Sequence, residues 1–432
     1  MSDSASSPRL TRELGLFGAV MMGLGSIVGT GVFVSIGIAA GIAGPAVVIA
    51  VAIGALVATC NGLSSAQLAA NHAVSGGTYE YGYKYLTPTL GFTAGWMYLV
   101  AKSMSAATAA LGFAGYLLGA FGMGAEGLLV PVALGAVLVL TGVVLSGIRR
   151  SNLTNIVIVG ITLATLAFFV VAGSPTAFAE GTANFAGFFQ APDGGGFRDL
   201  LYAAALMFVA YTGYGRIATL GEEVREPRRI IPRAIIVTLV ATMTLYGLVA
   251  LVGVGTIGAD GLSAAAEGLA APLEVAARAF GIPGAPQILA FGAVTAMLGV
   301  LLNLILGLSR VLLAMGRRAD MPTVFGRINA AGTTPVPAVI AVGLFIASLT
   351  LIGDVATTWS FSAFTVLIYY ALTNLSAIRL SDDERLYPVW ISVAGLFFCA
   401  SLAFFVEPRV WITGLGLIAI GLAWFGVRRW MR

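Results

Sequence analysis

Apolar residues in this chain gather into twelve long blocks joined by short polar connections. Six lie in the first half, at residues 17–41, 45–69, 90–119, 127–148, 153–173 and 199–221. Six lie in the second, at 232–257, 286–315, 336–353, 355–378, 387–406 and 410–428, the ninth and tenth parted only by Gly353 and Asp354. A helix that spans a bilayer needs roughly 20 consecutive apolar residues. The pattern therefore predicts an all-α integral membrane protein with about 12 transmembrane helices.

Two of the blocks are interrupted by glycine. The first carries GLGSIVGTGVF at residues 23–33, and the sixth carries FVAYTGYGRIATLGEE at residues 208–223. A broken helix inside lipid leaves backbone N–H and C=O groups that must be buried in protein or bind a solute. Breaks at matching places in two halves point to a substrate site between inverted repeats. Either cluster alone would also suit close helix packing through small residues.

Composition agrees with lipid as the solvent: 59% of residues are hydrophobic and only 10% charged, against about 25% charged in soluble domains. Positive residues are retained on the cytoplasmic side of a membrane. With twelve spans and both termini cytoplasmic, 19 of the 23 Lys and Arg residues fall on that side. Arg198, Arg278 and Arg409 fall on the other, and Lys102 lies within the membrane. Topology thus accounts for the net charge of +4, and no nucleic-acid partner is implied. The N-terminal MSDSASSPRLTRE lacks the apolar core and cleavage site of a signal peptide and is expected to be retained. Cys60 and Cys399 both fall inside spans, where buried free thiols are expected and a disulfide-linked partner subunit is not.

Four stretches resemble the amino acid–polyamine–organocation superfamily of transporters. They are GLGSIVGTGVF; LSSAQLAANHAVSGGTYEYGYKYLTPTLGFTAGW at residues 63–96; EEVREPRRIIPRAI at 222–235; and LSRVLLAMGRRADMP at 308–322, followed by GTTPVPA. The resemblance implies a five-plus-five inverted repeat with broken helices one and six and two peripheral helices. On this chain the parts would be a cytoplasmic tail at 1–14, a first repeat at 15–173, a second at 199–378, and helices eleven and twelve with a short tail at 387–432. It implies a permease in the plasma (inner) membrane that takes up amino acids by alternating access.

The residues themselves describe such a substrate. Around Ile27, Gly29, Thr30 and Gly31 the chain can leave helical geometry cheaply. The following half-helix then presents an N-terminus that suits a carboxylate. The sixth helix is expected to end near Val209, Ala210, Tyr211, Thr212 and Gly213, where unpaired carbonyls would favour an ammonium. All 19 Asp and Glu residues fall in loops, tails or helix ends. An acid-free site lined by apolar and aromatic residues favours a neutral, small or apolar side chain. The alternatives are a cationic substrate, suggested by parts of helices six and eight, and amino-acid exchange.

Sodium-driven members of the fold use hydroxyls on helix eight, whereas AVTAMLGVLLNLILGLSR at residues 293–310 is mostly aliphatic there. Some sodium-independent relatives carry a lysine on helix five, and TNIVIVGITLATLAFFVVAG at 154–173 has none. Lys102 on helix three is the coupling candidate instead, since an ionisable residue at that depth is costly and by default functional. It is expected to hold helices one and three together, with a proton as the coupled ion. Many relatives have an acid where this chain reads Gly213, Tyr214, Gly215, Arg216. Arg216, Glu222 and Glu223 are gate candidates. His72, the single histidine, has no metal-site spacing around it. No metal or cofactor is expected, and no phosphate loop or nucleophile motif points to an enzyme. A non-transporting sensor on the same fold is the alternative of a different class.

Overall fold

The computed structural model describes residues 14–72, 76–124, 127–147, 152–188, 196–218, 224–268, 270–329 and 334–431. The first half contains α1 (Leu16–Ile27), α2 (Ile36–Ala43), α3 (Val47–Asn71), α4 (Thr78–Tyr85), α5 (Pro88–Ala120), α6 (Leu129–Leu145) and α7 (Asn152–Asn184). In the second are α8 (Phe197–Tyr211), α9 (Gly215–Ala218), α10 (Pro227–Gly268), α11 (Pro272–Arg278), α12 (Ala285–Arg317), α13 (Val336–Thr350), α14 (Val355–Ile378), α15 (Val389–Leu402) and α16 (Pro408–Trp430). Among the described residues there is no strand; a single bridge ties Leu14 to Val224.

Eight helical segments are long and apolar enough to cross a bilayer. Four further apolar helices, α1, α6, α13 and α15, are 12 to 17 residues long. Each of the twelve apolar blocks coincides with one of these helices or a broken pair. The blocks misplace some ends: α7 runs to Asn184 through Pro175, and α10 continues to Gly268 past a kink at Gly258, whose φ is 73°. The boundary at residues 353–354 is sharp. Gly353 takes a φ of 74°, and the Asp354 carboxylate caps α14 by accepting from the N–H groups of Ala356 and Thr357.

Burial ranks the helices from centre to rim. In its most apolar window α5 is 83% buried, whereas α16 is 22% buried. Phe178, Val171, Trp390, Phe397 and Ile420 present large apolar side chains outward, as lipid-facing positions should. Toward the centre, α5 packs on α14 and α12, α3 packs on α8 and α10, and α10 also packs on α1 and α2. Both cysteines are buried and free.

The candidate substrate chamber and its lysine

The first break comes where α1 stops at Ile27 and Val28 turns to an extended conformation, φ −79° and ψ 103°. Helix resumes when Val32 N and Phe33 N both donate to Gly29 O at 3.1 Å, followed by a π-helical turn over Gly31–Ser35. The N–H groups of Thr30 and Gly31 precede that ladder and have no intrahelical partner. The second break is tighter. After Tyr211 the chain winds into a 3₁₀ turn at Thr212–Tyr214 and then into α9.

Glycine brings the two breaks into contact. A Cβ on Gly31 would lie 2.6 Å from Ala210 Cβ, and one on Gly213 would lie 2.3 Å from Ser26 O. Packing and site formation are therefore the same feature here. Gly29 faces away, toward Val300 on α12, and Tyr211 points to α3, its hydroxyl 3.4 Å from Val51 O. Neither lines the chamber, contrary to the sequence expectation. Ile27, Thr30, Gly31, Val209, Ala210, Thr212 and Gly213 do line it.

The carbonyls expected to be unpaired have protein donors. Val209 O accepts from both Thr212 N and Thr212 Oγ1, the latter at 2.8 Å. Thr212 O accepts from Tyr370 Oη at 3.0 Å. Tyr246 Oη donates to Ile27 O at 2.9 Å and lies 3.4 Å from Ala210 O. Carbonyl oxygens have two lone pairs, so acceptor capacity remains, but it is narrower than a frayed helix end would give. On α1, Leu24 O is taken by Val28 N and Gly25 O by Asn303 of α12, while Asn155 of α7 donates to Met21 O at 2.8 Å.

Lys102 projects from the middle of α5 and is 8% exposed. Its Nζ donates to Thr212 Oγ1 at 2.7 Å. The lysine thus joins the third helix to the sixth rather than to the first. It lies at the C-terminal end of α8, where the helix dipole is negative, so a protein ammonium takes the place expected for that of a substrate. Hydroxyl pairs Ser105–Ser362 at 2.7 Å and Thr108–Thr358 at 2.9 Å fasten α5 to α14 beside it.

Two neighbouring spaces share this lysine in their walls. The inner chamber, about 40 Å³, is lined by the two breaks with Ser105, Val300, Leu304 and Trp359. A second cavity of about 680 Å³ shares Ser26, Thr212, Gly213, Val300 and Leu304 with it and reaches Glu80, Arg317 and Arg318 at the arginine-rich end. Beyond the inner chamber, toward the opposite end, Phe33, Tyr116, Phe208 and Trp359 are buried, and Tyr116 Oη donates to Phe33 O at 2.7 Å. Arg216 lines the wider cavity. Glu222 and Glu223 lie outside the described residues.

Sequence reading missed Ser26, Ser105, Trp359, Tyr98 and Tyr370, which also line these spaces. Ser105 had a usable signal: it follows Lys102 by three positions and so shares its helical face. The aromatic residues on α14 carried none, because only the packing of α14 on α5 and α8 brings them in. Among the described residues no cluster of His, Cys, Asp or Glu could hold a metal ion.

A family model described as amino acid permease matches residues 18–431. An uncharacterised transporter of Mycobacterium tuberculosis is 39% identical over 97% of this chain and 92% of its own length. Branched-chain amino acid permease BcaP of Bacillus subtilis is 29% identical over 76% of this chain and 71% of its own. Cationic amino acid transporter 2, vacuolar, of Arabidopsis thaliana is 27% identical over 88% of this chain, which spans 62% of that protein.

Proposed function

The chain belongs to the amino acid permease family, and from that membership we propose a secondary active transporter of neutral amino acids, working by alternating access, proton-linked and sodium-independent. It is a multi-pass membrane transporter, not an enzyme. The observation that carries the finer reading is the acid-free inner chamber between the two breaks, with Lys102 in its wall. A cationic side chain there would be a buried charge without a partner, at a cost of several kcal/mol. A small or apolar one meets Val300 and Leu304, which line both this chamber and the wider cavity.

Residues 15–173 and 199–378 act in this reading as two repeats of opposite orientation. Exchanged packing supports it. The contact of α3 with α8 has its counterpart in α10 with α1, that of α5 with α14 in α12 with α7, and that of α6 with α12 in α13 with α5. The arginine-rich end is taken as cytoplasmic in the plasma (inner) membrane, with both termini on that side. The cavity open at that end then represents an inward-facing state.

Sodium independence rests on the surroundings of the first break. Ala296 and Val300 of α12 face Gly29 without a hydroxyl, and Asn303 and Tyr246 donate to Gly25 O and Ile27 O beside the break, which narrows the acceptor capacity left for a cation. Lys102 is then the group that carries the coupled proton, acting on the sixth helix through Thr212.

Purified protein in liposomes tests the reading by time-dependent accumulation of labelled amino acids. Neutral amino acids compete for uptake and lysine and arginine do not. Competition by lysine alone would make this a cationic transporter, a class that the Arabidopsis relative's name raises. Uptake that requires amino acid inside the vesicle would define an exchanger. Binding without accumulation would define a sensor.

A further inference from the structure

Lys102 brings an ammonium into the chamber with no acid to meet it. One of its three donors is spent on Thr212 Oγ1, and among the described residues no carboxylate lines the inner chamber. Glu80 lines only the wider cavity, and its Oε2 is held by Arg318. Thr30, from the first break, is 4% exposed, and its Oγ1 makes no hydrogen bond among the described residues. Lys102 and Thr30 line the same space of about 40 Å³. Buried donors without acceptors are costly. A positive charge and a spare hydroxyl in one small enclosure call for a small anion.

The geometry points to a substrate carboxylate bound between Lys102 Nζ and Thr30 Oγ1, which makes Lys102 a substrate-anchoring residue as well as a coupling one. This deepens the proposed function and rests on it. Occupied volume on this scale is roughly 10–15 Å³ for one water, so the inner chamber admits a carboxylate but not a whole amino acid. The remainder of the molecule extends past Gly213 and Val300, which line both spaces, into the wider cavity. Thr212 holds the lysine in place, and the C-terminal end of α8 stabilises its charge. Because the carboxylate favours the ammonium form, substrate and proton bind Lys102 with positive coupling, each strengthening the other.

The test uses full-length protein in proteoliposomes and competition against labelled uptake by L-alanine, L-leucine and L-phenylalanine, each beside its carboxamide. In wild type the best of the three acids competes about 100-fold better than its amide, as loss of a charge-assisted hydrogen-bonded pair implies. Lys102→Met cuts that preference to about fivefold or less, and Lys102→Arg, which keeps the charge, retains more of it than Lys102→Met. Thr30→Val, a near-isosteric change, cuts it about tenfold and serves where the lysine variant does not fold. A wild-type protein that treats acid and amide alike overturns the assignment. So does an undiminished preference in a folded Lys102→Met or Thr30→Val protein. Chloride that competes with the acids in wild type but not in Lys102→Met would make this a halide site and overturn the carboxylate. Failure of wild type to bind any of the twenty amino acids would remove the proposed function and this assignment together.

Discussion

Gly213 shows how little freedom the crossing of the broken helices allows. Its Cβ position lies 2.3 Å from Ser26 O, a backbone atom with no rotamer by which to escape. Overpacking of this kind costs about 1–3 kcal/mol or more. Gly213→Ala should therefore lower thermal stability and abolish uptake, measured by detergent melting and proteoliposome transport. Gly160→Ala on α7 is the control, since nothing lies within 4 Å of its Cβ position. At this scale the sequence was readable for residue type: the glycine clusters and the isolated lysine stood out against an aliphatic background. Their partners were not readable. Thr212 is 110 residues from Lys102, and the outward turn of Gly29 and Tyr211 depends on the azimuth of helices whose neighbours only tertiary packing decides.

At the arginine-rich end, α4 is clamped to the end of α12. Asp320, 2% exposed, accepts from Tyr79 Oη at 2.7 Å and Tyr83 Oη at 2.6 Å. Arg318 pairs with Glu80 at 2.6 Å and lies over the Tyr83 ring, 4.2 Å from its centroid. Hydrogen bonds to charged groups contribute about 1.5–3 kcal/mol each. Replacing both Tyr79 and Tyr83 by Phe should thus cost about 3 kcal/mol or more of stability, read as a lower melting temperature. It should cost more than the two single changes added if either tyrosine can compensate for the other. The opposite end has a second buried acid. Glu274 on α11 is 1% exposed and pairs with Arg278 at 3.0 Å through Oε1, while its buried Oε2 has no hydrogen-bond partner among the described residues. Burial pushes its carboxyl above the ordinary value, with Arg278 opposing. A carboxyl raised by folding stabilises the fold while protonated, and that contribution is lost as pH rises through the folded-state pKa. Glu274→Gln should then raise stability by about 1 kcal/mol above that pKa and change little below it, measured as melting temperature against pH. Element identity was legible from periodicity and length alone. The clamp was not, because α4 is a short polar helix whose role depends on Arg318 and Asp320, just past α12, lying beside it.

The whole molecule joins one open cavity, one closed end and one ammonium at the boundary between them. Block length, charge asymmetry and the paired breaks made the membrane architecture legible. The tightness of the second break was not, because a 3₁₀ turn and donors from α10 and α14 satisfy carbonyls that local sequence leaves free. An alternating-access cycle requires the closed end to open while the arginine-rich end closes, and any ligand must prefer one arrangement to shift that balance. In this account the proton supplies the preference by setting the charge on Lys102 and its hold on Thr212. The most direct test is uptake of a neutral amino acid into proteoliposomes across a range of pH, with sodium or choline as the external cation, for wild type and Lys102→Ala. Wild-type uptake should depend on pH, be unchanged by sodium, and lose its pH response in a folded Lys102→Ala protein. A wild type that requires sodium, or a variant that keeps the wild-type rate and pH profile, would contradict it.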